Sequence, residues 1–331
     1  MRLFRTVPSN ATGPVALTIG NFDGVHLGHR EMLRRLREAA DARGLPAAVL
    51  TFEPHPREFF APDQAPIRLT GLRDKLRLLA EAGVDQVHVC RFDYRLAQML
   101  PEAFIQQILV RGLAARWLLI GDDFRFGARR SGDAGTLRAA AGRCGFELDS
   151  LPSFLVNGLR VSSTAVRDAL ASGDMAHARR LLGAPFAISG RVVHGDKLGR
   201  ELGFPTANVW VARARLPLSG IFAVTVDGLA DRPLPGVASL GVRPTVKANG
   251  RTTLEVHLFD FARDVYGAKV KVEFLHKQRD EAKYDGLPAL IRQIEIDCAQ
   301  ARAYLATNVA TNVATNVATN TDSERPDVMP R

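Results

Sequence analysis

Residues 15–43 read VALTIGNFDGVHLGHREMLRRLREAADAR, and this stretch decides the fold of the first half of the chain. Its opening five residues are an unbroken apolar run, and residues 31–43 carry apolar side chains at helical spacing. Between them lies GNFDGVHLGHR, residues 20–30. The order is therefore a buried strand, a tight glycine-containing turn and a helix start. A loop that feeds a helix N-terminus collects anions, because its unpaired N–H groups and the helix dipole converge there. His26 and His29, three residues apart with Gly28 between them, add imidazoles that can donate to phosphate oxygens and can be cationic near neutral pH. Two unremarkable surface histidines on a turn would also fit an isolated HxGH; the flanking GNFDGV favours phosphate chemistry.

The rhythm of the opening stretch repeats. Apolar segments at 47–52, 84–90, 117–120 and 146–151 alternate with amphipathic stretches near 30–43, 72–82, 102–111 and 134–143. That alternation predicts βαβ units and a parallel sheet, with ligands beyond the carboxyl ends of the strands. Polar motifs fall at those ends: residues 20–29, 53–57 and 121–127. A helix over 163–182 closes this half, and Gly183-Ala184-Pro185 breaks it.

Beyond residue 185 the period becomes two. Segments 186–193, 221–226, 237–240, 253–259 and 270–274 read as strands with Gly, Pro and Asp between them, which predicts an antiparallel barrel. A helix over about 287–305 follows. Residues 306–320, ATNVATNVATNVATN, are a four-residue repeat with valine too sparse for a core. Residues 306–331 are expected to be a disordered tail. The expected domains are thus 1–183, 184–305 and that tail.

Composition narrows the function classes. The chain has 331 residues, 46% of them hydrophobic, and a formal net charge of +9. The basic excess is shared by both halves, and no short block of five basic residues occurs. This suits a soluble enzyme whose arginines meet anionic substrates better than a nucleic-acid binder. No run approaches the ~20 apolar residues of a membrane span. Residues 1–14 lack a secretory pattern, and the three scattered cysteines form no metal or redox motif, so a cytoplasmic protein is expected. Self-association is left open.

Two further constellations carry chemistry. RVSSTAVR, residues 160–167, puts Ser163, Thr164 and Arg167 at a helix start, where the hydroxyls can cap the helix and can also clamp a phosphate. HGDKLGRELGFPTAN, residues 194–208, has Gly195, Gly199 and Gly203 to admit backbone N–H groups to phosphates, with Lys197 and Arg200 for charge. Thr206 and Asn208 offer hard oxygens suited to Mg²⁺. In LEVH, residues 254–257, alternation puts Glu255 and His257 on one face. Glu255 there could take the proton of an attacking hydroxyl, or the pair could simply face solvent.

GNFDGVHLGH, TFEPHP, GDDFRFG and VSSTAVR occur in this order, and together they resemble the adenylyltransferase module of the bifunctional bacterial riboflavin kinase/FAD synthetase family. GRELGFPTAN, GVASLGVRPTV, TLEVHLFDF and VYGAKVKVEFLHKQRDEAKYDG resemble its kinase module over 185–302. The resemblance implies a nucleotidyltransferase-type Rossmann-like domain followed by a small antiparallel barrel with a terminal helix. It implies ATP, riboflavin and FMN as substrates, Mg²⁺ as cofactor, and neither nucleic acid nor membrane as partner. On this resemblance Gly20, Phe22, Asp23, His26, Gly28, His29, Ser163, Thr164 and Arg167 serve ATP in the first module. Pro54, His55, Pro56, Phe60, Asp123 and Arg160 serve the flavin. In the second module Gly195, Lys197, Gly199, Arg200, Thr206 and Asn208 hold Mg²⁺–ATP, Glu255 is the base for the ribityl hydroxyl, and Arg279 lies near the flavin. Asp123 stands where many members carry Asn, and Tyr284 where Phe is frequent. His88 and His177 match no motif and are taken as structural.

Overall fold

A computed structural model describes residues 1–156, 158–195, 198–211, 215–243 and 251–321. The chain divides into two compact units, one of Met1–Ala169 with His177–Ala184, the other of Leu170–Ala176 with the chain from Pro185 onward.

The first unit is built on a six-stranded parallel sheet. Its strands are β1 (Arg2–Phe4), β2 (Val15–Ile19), β3 (Ala47–Glu53), β4 (Gln86–Arg91), β5 (Ala115–Gly121) and β6 (Glu147–Leu151), in the spatial order β1-β4-β3-β2-β5-β6. All five residues of β2 are buried, as expected of a strand covered on both faces, whose period of two is then invisible in the sequence. The alternation survives in the packing: Val15, Leu17 and Ile19 enter one core with Leu118 and Ile120, while Ala16 enters the other with Trp117 and Leu119. Helices α1 (Leu27–Ala42), α2 (Pro56–Phe60), α3 (Leu72–Glu81), α4 (Tyr94–Ala97), α5 (Pro101–Phe104) and α6 (Ala134–Cys144) connect the strands. The helix expected near 102–111 is α5 running into a π-helical segment, Ile105–Gly112. A hairpin of β7 (Leu155–Val156) and β8 (Leu159–Arg160) follows β6. The helix expected over 163–182 is two helices, α7 (Ser163–Ser172) and α8 (Met175–Leu182). Between them Gly173 adopts φ +79°, a left-handed conformation that ends a helix.

The chain order places β3 and β4 to one side of β2 and β5 and β6 to the other. The crevice of such a sheet opens where this direction reverses, beyond the carboxyl ends of β2 and β5. Residues 20–29 and 121–123 begin there.

The second unit is a closed antiparallel barrel in the order β10-β13-β12-β11-β14-β9. Its strands are β9 (Phe186–Val193), β10 (Ala207–Trp210), β11 (Gly220–Asp227), β12 (Leu234–Arg243), β13 (Arg251–Leu258) and β14 (Lys269–Arg279), with one helical turn, α9 (Leu198–Glu201), before β10. Helix α10 (Leu287–Thr321) packs Ala301 and Leu305 against Ile221, Ala223, Val237 and Phe259 of the barrel. Helix α10 runs on through the repeat to Thr321. No Gly or Pro interrupts that extension, and a helix already anchored by packing escapes the cost of a new nucleus. Residues 322–331 lie outside the described residues.

Candidate active sites

The loop leaving β2 turns within seven residues by using left-handed backbone at Phe22 (φ 48°), Gly24 (φ 83°) and Val25 (φ 41°). Two non-glycine residues in that region carry strain that surrounding bonds must offset. Asp23 supplies them. Its buried carboxylate accepts from the Leu69 and Thr70 N–H groups at 3.0 Å and the Thr70 hydroxyl at 3.2 Å, and pairs with Arg167 at 2.6 Å. The Ser163 hydroxyl donates to the Asp23 carbonyl at 2.9 Å, and Gly24 N–H donates to the Thr70 hydroxyl at 3.1 Å.

His26 then caps α1, its Nδ1 accepting the His29 N–H at 3.3 Å. The two imidazoles stack, with ring centroids 3.6 Å apart. Gly28 is needed for this, since a Cβ there would lie 3.3 Å from the His26 ring and 3.4 Å from Phe154. Gly20 likewise leaves room for the Phe22 ring. Because His26 Nδ1 accepts, its proton sits on Nε2, which becomes a donor. Burial lowers the His26 pKa to about 4, more than nearby Asp23 raises it. Burial also pushes His29 well below the ordinary histidine value, helped by His26 and Lys75. Burial thus favours the neutral form of both rings, which can donate hydrogen bonds without carrying charge. His29 Nδ1 is buried without a hydrogen-bond partner among the described residues.

A cavity of about 220 Å³ opens at the switch point, lined by His26, Gly28, His29, Asp123, Arg160 and Ser163 among others. Asp123 and Arg160 form a 2.6 Å ion pair there. The structure thus groups Asp123 and Arg160 with the histidines. Thr164 is exposed and does not line the cavity. Arg167 is engaged by Asp23 and the Ile67 carbonyl, which makes it an anchor of the loop. The residue that caps α7 is Ser162, whose hydroxyl accepts the Ala165 N–H at 3.2 Å, not Ser163 or Thr164.

Pro54, His55, Pro56 and Phe60 lie at the carboxyl end of β3. His55 caps α2 in a reciprocal capping box with Glu58. Glu53 and Glu58 converge on Arg68, with Glu53 at 2.6 and 2.8 Å. Phe60 is 65% exposed and Tyr94 75%, and both pack edge-on to a cluster with Phe59 and Phe92 at centroid distances of 5.0–5.6 Å. Phe59, Phe92 and Tyr94 escaped the sequence reading, because their approach depends on two strand ends, Glu53 and Arg91, 38 residues apart in the chain. His88, read as structural, stacks on Phe4 with centroids 4.5 Å apart.

In the barrel, pairing brings the expected residues together. Asn208 of β10 stands directly opposite Glu255 of β13, and Ser239 of β12 flanks Glu255 on its other side. Such cross-strand neighbours share a face. Leu254 and Val256 are buried, while Glu255 and His257 face a cavity of about 260 Å³ that also meets Thr206, Asn208, Arg279 and Tyr284. Arg279 is held by Asp297 of α10 at 2.5 and 2.9 Å, with Tyr284 beneath its guanidinium. Glu281 enters the same cavity; burial and the neighbouring Glu255 raise its pKa against the opposing pull of Arg279. A second cavity, of about 500 Å³, is lined by Arg200, Thr206, Arg263 and Tyr266 among others, so Thr206 borders both. A Cβ on Gly195 would strike the Asn208 amide, and one on Gly199 would lie 2.5 Å from the Phe204 carbonyl and 3.2 Å from the Thr206 hydroxyl. Both glycines are thus spacers that seat the oxygen donors. Lys197 lies outside the described residues.

The model of the FAD synthetase family matches residues 9–165 and that of the riboflavin kinase family residues 182–305. A protein of Escherichia coli (strain K12) named bifunctional riboflavin kinase/FMN adenylyltransferase is 51% identical over 307 residues, 92% of this chain and 98% of its own. One of the same name from Haemophilus influenzae is 50% identical over 290 residues, 87% of this chain and 94% of its own. A crystal structure described as a macrolide-efflux protein from Streptococcus pneumoniae aligns over 90% of this chain and 97% of its own with a TM-score of 0.78 and 28% identity. That description belongs to the other protein, and no helix among the described residues here is long and apolar enough to cross a membrane. With the loop, the barrel and both family matches in register along the sequence, the chain belongs to the bifunctional riboflavin kinase/FMN adenylyltransferase family.

Proposed function

We propose that the chain carries out two consecutive flavin reactions: ATP phosphorylates riboflavin to FMN, and a second ATP adenylylates FMN to FAD with release of pyrophosphate. We assign the kinase step to residues 184–305 and the adenylyl step to residues 1–183. The observation that carries the reading is Glu255 opposite Asn208 in one cavity, with Thr206 on the wall shared with a second. Phosphoryl transfer needs that arrangement: an acceptor hydroxyl beside a base, and a donor phosphate arriving from the other side. Glu255 takes the proton of the ribityl hydroxyl as its oxygen attacks the γ-phosphorus, and ADP departs. Arg279 and Tyr284 border the acceptor cavity; Arg200 and Tyr266 border the donor cavity.

Thr206 and Asn208 would hold Mg²⁺. The test of fit is local: the Asn208 amide is seated on Gly195, and the Thr206 hydroxyl on Gly199, in cradles that a side chain would fill. Two neutral oxygens suit an ion that keeps waters and phosphate oxygens as its other ligands. When bound, the ion neutralises phosphate charge.

In the adenylyl step a phosphate oxygen of FMN attacks the α-phosphorus of ATP, the bond to the β-phosphate breaks, and pyrophosphate leaves. The nucleophile is already anionic, so positioning and charge stabilisation are what the protein must supply. His26 Nε2–H and His29 donate to phosphate oxygens, and the exposed rings of Phe60 and Tyr94 offer the flavin a stacking face. Free cysteines at Cys90, Cys144 and Cys298 suit a cytoplasmic setting. The two assignments separate by mutation. Glu255→Gln is expected to abolish FMN formation and to leave FAD formation from supplied FMN, whereas His29→Ala does the reverse. Wild-type kinase turnover in Glu255→Gln overturns the base assignment, and equal loss of both activities in His29→Ala overturns the separation.

A further inference from the structure

Glu281 has no part in the steps above, although it lines the same cavity as Glu255, Asn208 and Arg279. It stands just past Arg279, the last residue of β14. Backbone packing fixes where its side chain sits: a Cβ on Gly241 of β12 would strike both carboxylate oxygens of Glu281. Gly241 and Ser239 alternate along β12 and so share a face. Ser239 stands opposite Glu255 of β13, and Gly241 stands opposite Thr253. The Glu281 carboxylate therefore occupies the place that a side chain at position 241 would take, diagonal to Glu255. Diagonal neighbours on one face of a sheet lie about 7–8 Å apart.

Among the described residues this carboxylate makes no hydrogen bond or ion pair. The cations beside it are engaged elsewhere: Arg279 by Asp297 and by the Asp280 carbonyl, and Lys277 by the Asp280 carboxylate. Glu281 is exposed in the open cavity. A flavin seated there would shut it off from solvent. A carboxylate accepts hydrogen bonds and donates none, so the ligand must then bring the donors. Riboflavin offers two kinds, the imide N–H of the ring and the secondary hydroxyls of the ribityl chain. The imide lies at the far end of the molecule from the terminal hydroxyl that Glu255 activates, whereas the secondary hydroxyls adjoin it. A carboxylate diagonal to the base meets the chain.

We propose that Glu281 is the residue that selects the polyhydroxyl chain of the acceptor: its two oxygens accept from secondary hydroxyls of the ribityl group and so deliver the terminal hydroxyl to Glu255. This rests on the assignment of the cavity to the flavin acceptor and of Glu255 as the base. Gly241 belongs to the same arrangement, since any side chain there would displace the carboxylate. A chain without secondary hydroxyls would leave the carboxylate enclosed and unpaired, and the site rejects it for that reason.

The test uses the full-length protein as wild type, Glu281→Ala and Glu281→Gln, with ATP, Mg²⁺ and two flavins: riboflavin, and the analogue whose hydroxypentyl chain keeps the terminal hydroxyl alone. The readouts are kcat/KM for phosphorylation of each flavin, and Tm. Wild type is expected to prefer riboflavin by ~100-fold or more. Glu281→Ala is expected to lose ~30-fold or more on riboflavin but no more than about threefold on the analogue, so that the preference shrinks while Tm holds. Glu281→Gln, which keeps one acceptor oxygen, is expected to fall between the two. A preference as large in Glu281→Ala as in wild type, whether both flavins lose together or neither does, overturns the proposal. A wild type that phosphorylates neither flavin overturns the acceptor and base assignments themselves, which keeps the two failures distinct.

Discussion

His26 and His29 show how burial alters what a residue type contributes. Their spacing and Gly28 are visible in the sequence, and so is the reading of a phosphate grip. The lowering of their pKa values is not visible, since it comes chiefly from desolvation in the folded chain. The sign follows for the unliganded protein: the folded pKa of His26, about 4, lies below its ordinary 6.5. Its contribution to stability is then complete above pH 6.5 and is lost as pH falls towards 4. His26 alone accounts for ~3 kcal/mol over that range. Urea unfolding between pH 7 and 4 should show this loss, and His26→Asn, which keeps an acceptor for the His29 N–H, should flatten it. An unchanged slope in the variant would refute the assignment. The Asp23–Arg167 pair was equally illegible, because partners 144 positions apart in the chain leave no local pattern.

At the scale of elements, the loop between β2 and α1 is the most demanding part of the first unit. Phe22 and Val25 hold positive φ, and the bonds around Asp23 keep them there. Asp23→Asn would remove the charge that satisfies Arg167, leaving a largely buried guanidinium uncompensated. A cost of ~3–5 kcal/mol is expected, read as a lowered denaturation midpoint, with adenylyl turnover falling and the barrel reaction retained. A variant as stable as the parent would show that the loop stands without this anchor. The major elements were legible where they were long. Five of the six sheet strands carried apolar runs, and five of the six barrel strands carried alternation. Strands β1, β7, β8 and β10 were missed, since two to four residues are too short to display a period. The break at Gly173 was missed because glycine inside an amphipathic pattern need not end a helix.

At the scale of the molecule, two units with separate chemistries share one chain, and the fold of each places its site by a general rule. The parallel sheet opens a crevice at its switch point, and barrel closure brings Asn208 and Glu255 face to face. The last packed residues of α10 described against the barrel are Ala301 and Leu305. Deleting residues 306–331 is therefore expected to leave both turnovers within a few-fold, and a large loss of either activity or of Tm would show that the tail docks. The central claim is that one chain makes FMN and then consumes it. Incubating the pure protein with riboflavin, ATP and Mg²⁺ and chromatographing the flavins over time tests it most directly. The account predicts FMN rising first and FAD following at its expense; no flavin turnover, or FMN that accumulates without FAD, would contradict it.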